Sequence, residues 1–414
     1  MLPDGWRRST LGEIARITSG GTPDRSEPSY WGGSVPWVTT GEIQFNTITD
    51  TAEKITEAGL KNSSAKLFPP GTLLMAMYGQ GKTRGQVAKL AIEACTNQNS
   101  AAILLNEGHD PDFYFHFLSW KYDEIRDFGH SGGVSHLNAG LLKQICVPVA
   151  PVREQRRIAE VLATWAAAIE AARRVAALAS RQFDALAAVV LFGRRRLGPA
   201  TGNSFQQSPH GPIPSDWQYI PIGDIADEVT MRPGEHDALP VLSCTKHGGL
   251  VDSLQYFKKR VFSEDTSKYK VAPRGSFVYA TNHIEEGSLG YQDLYDAGLV
   301  SPIYTVFRTR PSVCEAYLHA LLKTEHYRQL FAAATNASVD RRGSLRWKDF
   351  RTLKVPLPAI AEQRAIAGVL NDARREFVLL QRHADALERE KLALMTDLLT
   401  GRHRVRVPLA ELAV

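Results

Sequence analysis

Cysteine is scarce: four residues in 414, Cys95, Cys146, Cys244 and Cys314, far apart and without a Cys-x-x-Cys pair. That argues against a disulfide framework or a cysteine zinc site and fits a reducing cytoplasm. Long apolar runs are missing too. The longest candidate, Ala185 to Phe192, falls well short of the roughly 20 residues a membrane helix needs. The opening MLPDGWRRST has no apolar core of an export signal. The expectation is a cytoplasmic protein without membrane contact. Histidine is sparse and scattered; His247, His283, His319 and His326 stand apart and no His-x-x-x-His occurs, so no metal site is expected. Neither Gly-x-Ser-x-Gly nor an Asn/Asp-Pro-Pro-aromatic motif is present, and no two carboxylates are spaced as an acid/base couple. The sequence therefore predicts no catalytic residue and no cofactor of its own. Charge of one sign is not in large excess: Lys+Arg 49 against Asp+Glu 44, net +5. That balance permits nucleic-acid binding and does not require it.

What is present is an internal repeat, in a chain longer than one core usually supports. Leu2-Pro3-Asp4-Gly5-Trp6, followed by Leu11-Gly12-Glu13-Ile14-Ala15, returns as Ile213-Pro214-Ser215-Asp216-Trp217, followed by Ile222-Gly223-Asp224-Ile225-Ala226. Val147-Pro148 and Glu154-Gln155-Arg156-x-Ile158-Ala159 return as Val355-Pro356 and Glu362-Gln363-Arg364-x-Ile366-Ala367. That second register holds without a gap to Gly193-Arg194 and Gly401-Arg402. The ends of the two copies match and the middles do not, apart from strand-like pieces such as Gly71 to Met75 and Gly275 to Tyr279. A repeated frame with divergent inserts suits two different binding faces in one geometry; duplication followed by drift gives the same pattern.

Each frame ends in a long helical segment. Ile158, Leu162, Trp165, Ile169, Ala172, Ala176, Ala179, Phe183, Leu186 and Val190 are spaced alternately four and three apart. Their counterparts are Ile366, Leu370, Ala373, Phe377, Leu380, Ala384, Leu387, Lys391, Leu394 and Leu398. A period of 3.5 sustained this long specifies a coiled-coil seam, and about 40 residues would span about 60 Å. Small Ala172 and Ala176 can face large Phe377 and Leu380, which suits antiparallel pairing within the chain. Lys391 is the one flaw in the seam. Arginines crowd the flanks (Arg153, Arg156, Arg157, Arg173, Arg174 and Arg181, then Arg194 to Arg196; Arg364, Arg374, Arg375, Arg382 and Arg389, then Arg402, Arg404 and Arg406). They read as a solvated face or as a docking surface for a partner protein or DNA backbone.

The inserts carry polar, aromatic loops. Ala76 to Thr83, AMYGQGKT, fits the loosest form of a nucleotide-binding loop. Such a loop needs a helix start behind it, and Arg84-Gly85-Gln86-Val87 is a poor one. A backbone-phosphate contact by Gly79, Lys82, Thr83 and Arg84 is the stronger reading, with a P-loop enzyme as the alternative. Other loops of this kind contain Thr39, Asn97, Gln98, Ser135 and His136 in the first insert. In the second they contain Lys246, Asn282, His283, Arg341, Arg342, Ser344 and Arg346.

The repeated Leu/Ile-Pro-x-x-Trp starts, the two Glu-Gln-Arg-x-Ile-Ala helices and their Gly-Arg ends resemble the specificity subunit of type I restriction–modification enzymes. Tyr30-Trp31-Gly32-Gly33-x-x-Pro36-Trp37 and Tyr78-Gly79 to Thr83-Arg84-Gly85 look like one class of that family's recognition domain. The resemblance covers essentially the whole chain and implies an α+β protein. Two small α/β target recognition domains (1–150 and 213–358) would alternate with conserved spacer helices (151–193 and 359–401). The helices would form an antiparallel coiled coil with pseudo-twofold symmetry. A linker (194–212) and a basic C-terminal tail (402–414) complete the plan.

The implied partners are double-stranded DNA, two modification subunits and two restriction subunits. S-adenosylmethionine and ATP with magnesium belong to those subunits, and this chain is non-catalytic. The coiled coil and the docking of subunits on it would rest on Ile158, Leu162, Trp165, Ile169, Phe183 and Leu186 of one helix and Ile366, Leu370, Phe377, Leu380, Leu387 and Leu394 of the other. Lys82, Arg84, Arg341 and Arg342 would hold phosphates. Gln80, Asn97, Gln98, His136, Asn282, His283 and Arg346 are the candidates for base edges, since Asn, Gln and Arg pair bidentately with adenine and guanine. Arg346→Ala is expected to change sequence preference in one half-site only; loss in both halves, in a methylation or binding assay, contradicts the split reading.

Overall fold

The computed structural model describes residues 2–79, 81–128, 136–198, 204–209, 211–234, 239–246, 248–336 and 343–406. They form two compact units, Met1–Arg174 with Gln381–Val414, and Val175–Leu380. The division falls inside the two long helices, Val152–Val190 and Ile360–Leu399. Each unit therefore owns one insert and a stretch of both helices. The fold is α+β, and among the described residues no helix is long and apolar enough to cross a membrane.

In the first unit Ile158 and Leu162, near the start of one helix, share a core with Met395, Leu398 and Leu399 at the end of the other. In the second unit Val190 shares a core with Ile366 and Leu370. The paired stretches thus run antiparallel within each unit. None of the ten seam positions on either helix is exposed, as a 3.5-residue apolar period demands. Lys391 obeys the rule as well: it is half-buried, and burial drives its ammonium below the usual lysine range while the Glu388 charge opposes that shift.

The inserts repeat one central sheet even where their sequences diverge. In the first unit the strand order is Ala15–Ser19, Ser100–Leu105, Leu73–Ala76, Val87–Leu90, with Thr47–Ile48 at the edge. In the second it is Ala226–Glu228, Tyr304–Thr309, Phe277–Ala280, Leu289–Tyr291. Apart from Thr47–Ile48, which runs parallel to its neighbour, all adjacent strands are antiparallel. The duplication therefore extends through the middle of each copy, where the sequence shows only the pieces at Leu73 and Phe277. A buried strand needs apolar residues of fitting volume rather than particular ones, so the order survives while the letters drift.

The frame is closed by parts the sequence repeats. Arg7–Thr10 pairs antiparallel with Cys146–Val149, and Gln218–Pro221 with Lys354–Leu357. Behind each pair, the Gln of Glu-Gln-Arg is almost wholly buried. Gln155 donates to the Ala150 carbonyl at 2.7 Å and accepts from the Asp110 amide at 2.8 Å. Gln363 repeats this with the Pro358 carbonyl and the Cys314 amide, both at 2.8 Å. Tyr114 and Tyr317, each buried, donate to the Pro148 and Pro356 carbonyls at 3.0 and 2.8 Å.

The preceding Glu is the hub. Glu362 accepts two Arg196 hydrogen bonds at 2.9 Å and the Trp217 indole N–H at 3.2 Å, while Arg196 also grips Asp216 with two bonds at 2.9 Å. Glu154 accepts from Trp6 at 2.9 Å and from Nε and Nη2 along one edge of the Arg404 guanidinium, and Arg404 also reaches the Asp4 carbonyl at 3.0 Å. Two of the flank arginines are therefore engaged within the frame: Arg196 is largely shielded, while Arg404 stays exposed on its outer side. The stretch expected as a linker holds Arg196 and the strand Phe205–Ser208, paired with Gly211–Pro214; the expected tail holds Arg404. Both arginines follow a glycine that ends the helix, Gly193 at φ +69° and Gly401 at φ +73°. A Cβ there would meet Pro214 Cδ at 2.4 Å or Pro3 Cδ at 2.7 Å, so only glycine lets the chain turn back onto the Leu/Ile-Pro-x-x-Trp segment.

Burial pushes the Glu362 carboxyl up, but the Arg196, Leu197 and Trp217 hydrogen bonds outweigh it and hold the group below its ordinary range. Its contribution to stability is then complete above the usual glutamate range and lost as pH falls through the lowered value. Glu362→Ala leaves Arg196 partnered only by Asp216 in a largely buried setting. It is expected to destabilise the second unit by about 3 kcal/mol, a fall of about 8 °C in its melting transition. The variant should also lose part of the wild type's acid sensitivity, read by thermal denaturation as a function of pH.

Candidate nucleic-acid interface

Those of the expected site residues that the structure describes lie on loops at one edge of each central sheet. In the first unit, the chain leaves strand Leu73–Ala76, makes the glycine-rich loop and returns as the antiparallel strand Val87–Leu90. The loop is pinched at its base by the Ala76 amide to the Gln86 carbonyl and the Gly85 amide to the Ala76 carbonyl, both 2.9 Å. A nucleotide-hydrolysing loop runs from a strand into a helix whose N-terminus meets the phosphates. This one is a hairpin loop, and the P-loop alternative has no framework to stand on.

Within the loop, Gly79 and Lys82 are exposed and Thr83 is half-exposed, whereas Arg84 is only 5 % exposed. The expected phosphate contact by Arg84 is thus corrected: its side chain is buried rather than presented at the surface. The Lys82 carbonyl is held from below by the Tyr122 hydroxyl, which also accepts from Arg126 at 2.9 Å and stands edge-on to Phe45. That tether fixes the backbone, and the Lys82 side chain is exposed. Tyr78, 41 % exposed, stacks on His136 at 4.8 Å with the rings 9° from parallel. The Leu137 amide donates to the Met77 carbonyl at 2.9 Å, which brings His136 beside the loop.

The Asn97–Asn99 turn lies at the same edge, joined to the loop by the Met77 amide to the Asn99 carbonyl at 2.9 Å. Asn97 spends its side-chain oxygen internally, accepting from Thr40, the Asn99 amide and Ser100 at 3.0 to 3.1 Å. It orders the turn, and Gln98, exposed and bonded to Thr22, is the side chain the turn presents. Thr39 closes a capping box with Glu42. Its hydroxyl and amide are engaged there, so it too supports the edge from within.

The second unit builds the equivalent edge with other side chains. The Leu345 amide donates to the Thr281 carbonyl at 2.8 Å, just as Leu137 does to Met77, placing Ser344 and exposed Arg346 beside Asn282 and His283. Lys323, whose ammonium is depressed by burial, ties together the carbonyls of Gly287, Leu289 and Lys246 at 2.7, 3.3 and 3.4 Å. It anchors the hairpin whose tip exposes Lys246. Asn282 is half-buried, its side-chain oxygen enclosed without a hydrogen-bond partner among the described residues. His283, expected to stand alone, has Glu286 at 3.5 Å, and the ligand atoms of His283, Glu285 and Glu286 lie within 4.8 Å of one another. Gln80, Ser135, Arg341 and Arg342 lie outside the described residues.

Two features escaped sequence reasoning. The Tyr78–His136 stack joins residues far apart in sequence, and only the aromatic beside Gly79 hinted at it. The burial of Arg84 had no signal at all.

Two units sharing the order of four central strands, each with an edge of polar and basic side chains, form a duplicated α+β scaffold. Comparison with known proteins places it. Residues 3–178 match the family described as type I restriction modification DNA specificity domain. The MjaIX specificity subunit of Methanocaldococcus jannaschii is 26% identical over 174 residues, 41% of this chain, a match that spans only 40% of that subunit's length. The MjaVIII specificity subunit of the same organism is 21% identical over 98% of this chain and 94% of its own. Among solved structures, a chain from work on complex assembly and conformational transition of the type I R-M system aligns over 97% of this chain and 100% of its own. Its TM-score is 0.60 at 19% identity, a likeness of fold. Residues 3–178 thus match the type I restriction modification DNA specificity domain, and the chain as a whole is similar to type I specificity subunits.

Proposed function

We propose that this chain is the DNA sequence-specificity subunit of a type I restriction–modification complex, recognising an asymmetric bipartite site with one half read by each unit. The observation that carries this is the paired edges. The same backbone bond, Leu137 to Met77 and Leu345 to Thr281, fixes both. Around it stand His136 and Asn138 in one unit, and Ser344 and Arg346 in the other. A fixed backbone with different side chains is what two readers of different half-sites require.

The chain does no chemistry itself in this reading. It binds duplex DNA and docks two modification subunits, which hold S-adenosylmethionine, and two restriction subunits, which hold ATP and magnesium. The complex works in the cytoplasm, away from membranes. The two long helices serve as spacer and docking frame, and the seam residues act by holding that frame together. Exposed Val175, Leu178, Val369 and Leu379 of the second unit lie off the seam and suit a subunit contact.

Lys82 supplies charge and Gln98, Tyr78 and His136 supply contact with bases. In the complex with its modification subunit, Lys82→Ala should weaken binding to all duplex sequences alike and reduce the slope of log affinity against log salt by about 1. Measured by salt titration on cognate and non-cognate duplexes, an altered sequence preference with an unchanged slope would move Lys82 from phosphate to base contact.

A further inference from the structure

One surface of the second unit has no part in the site described above. After the hairpin Leu242–Thr245 and Gly249–Asp252 comes a five-residue helix, Ser253–Phe257. It is firmly made: the Asp252 carboxylate caps the Leu254 and Gln255 amides at 2.9 and 3.0 Å, and Lys258 closes it in a left-handed turn at φ +54°. Yet it turns its apolar residues outward. Leu254 is 55% exposed and Tyr256 54%, with Phe257 packed edge-on against Tyr256 and itself exposed. Three cations follow at once, Lys258, Lys259 and Arg260, all exposed; Arg260 lies 3.5 Å from Glu264.

Folding gives no reason to hold large apolar groups in water on so well capped a helix, and a contiguous exposed apolar patch marks an interaction site. Charge names the occupant. Aromatic and aliphatic side chains beside a run of Lys and Arg match the duplex groove, where apolar groups meet sugar and base faces while cations take the flanking phosphates. Position agrees. A Cβ on Gly248, at the hairpin tip, would stand 3.9 Å from the Tyr256 ring. The same tip exposes Lys246, whose carbonyl is tied through Lys323 to Gly287, just past Asn282 and His283. The patch is continuous with the reading edge.

We propose that the corner from Leu254 to Arg260 is a second DNA-contacting element of this unit. Tyr256 and Phe257 enter the groove, and Lys258 and Lys259 hold the adjoining phosphates. The inference rests on the DNA-reading function proposed above and extends the footprint of one half-site only.

The test uses the full complex with its modification subunit on a cognate duplex. The double variant Tyr256→Ala with Phe257→Ala is expected to bind about tenfold more weakly with an unchanged salt slope. Lys258→Ala with Lys259→Ala should lower that slope by about 2. Both should shorten the hydroxyl-radical footprint on the same flank and leave the melting temperature and subunit assembly intact. Wild-type affinity and footprint in both variants would overturn the inference, as would loss of assembly, which would make the corner a protein-docking surface. If the wild-type complex itself shows no sequence-dependent binding, the DNA-reading function fails and this inference fails with it.

Discussion

The structure hangs on a carboxylate at the start of each long helix. Glu154 and Glu362 each gather an indole N–H from the opening segment of their copy and a guanidinium that follows a helix end. A largely buried carboxylate without such partners would be costly; with them it fixes three chain segments at one point. The neighbouring Gln ties the insert to the same turn through backbone groups of both. Because Glu154 and Arg404 are 250 residues apart in sequence, this joint forms only when the segment after the second long helix returns to the first unit. That explains why Glu-Gln-Arg, the Leu/Ile-Pro-x-x-Trp opening and the helix-ending glycine recur together: they are parts of one joint.

From that joint the frame continues to the polar edges of the central sheets. The Tyr114 and Tyr317 hydroxyls bind the strand that closes the frame, and the central sheet continues to the loops. There the hydrogen bonds are mostly backbone or internally satisfied side chains, as with Asn97, Thr39 and the Tyr122 tether on Lys82. Such bonds fix where Gln98, His136, Asn282 and Arg346 stand without dictating what they are. Specificity can then change by substitution at the tips while the fold stays the same.

Period and repetition were legible in the sequence. The heptad seam predicts two long helices, and even Lys391 sits in the seam because its stem can be buried. The shared order of the central sheets was not legible, since strand cores tolerate many apolar residues. The arginines after the helices were visible, but their partners were not: pairing Arg196 with Glu362, or Arg404 with Glu154, requires the turn that the glycine makes. At the edges, residue type pointed to loops that the structure brings together, but not to which side chains those loops expose. Arg84 turned inward and Asn97 spent its oxygen locally, because a short polar loop does not declare which side chains face the sheet.

The central claim is that two unlike edges on one repeated frame read two unlike half-sites. The most direct measurement is a map of methylated adenines in cells expressing this chain with its cognate modification subunit, beside cells lacking the chain. The account predicts a single split, asymmetric motif that disappears without the chain. A palindromic or unbroken motif, or methylation that persists unchanged in its absence, would contradict it.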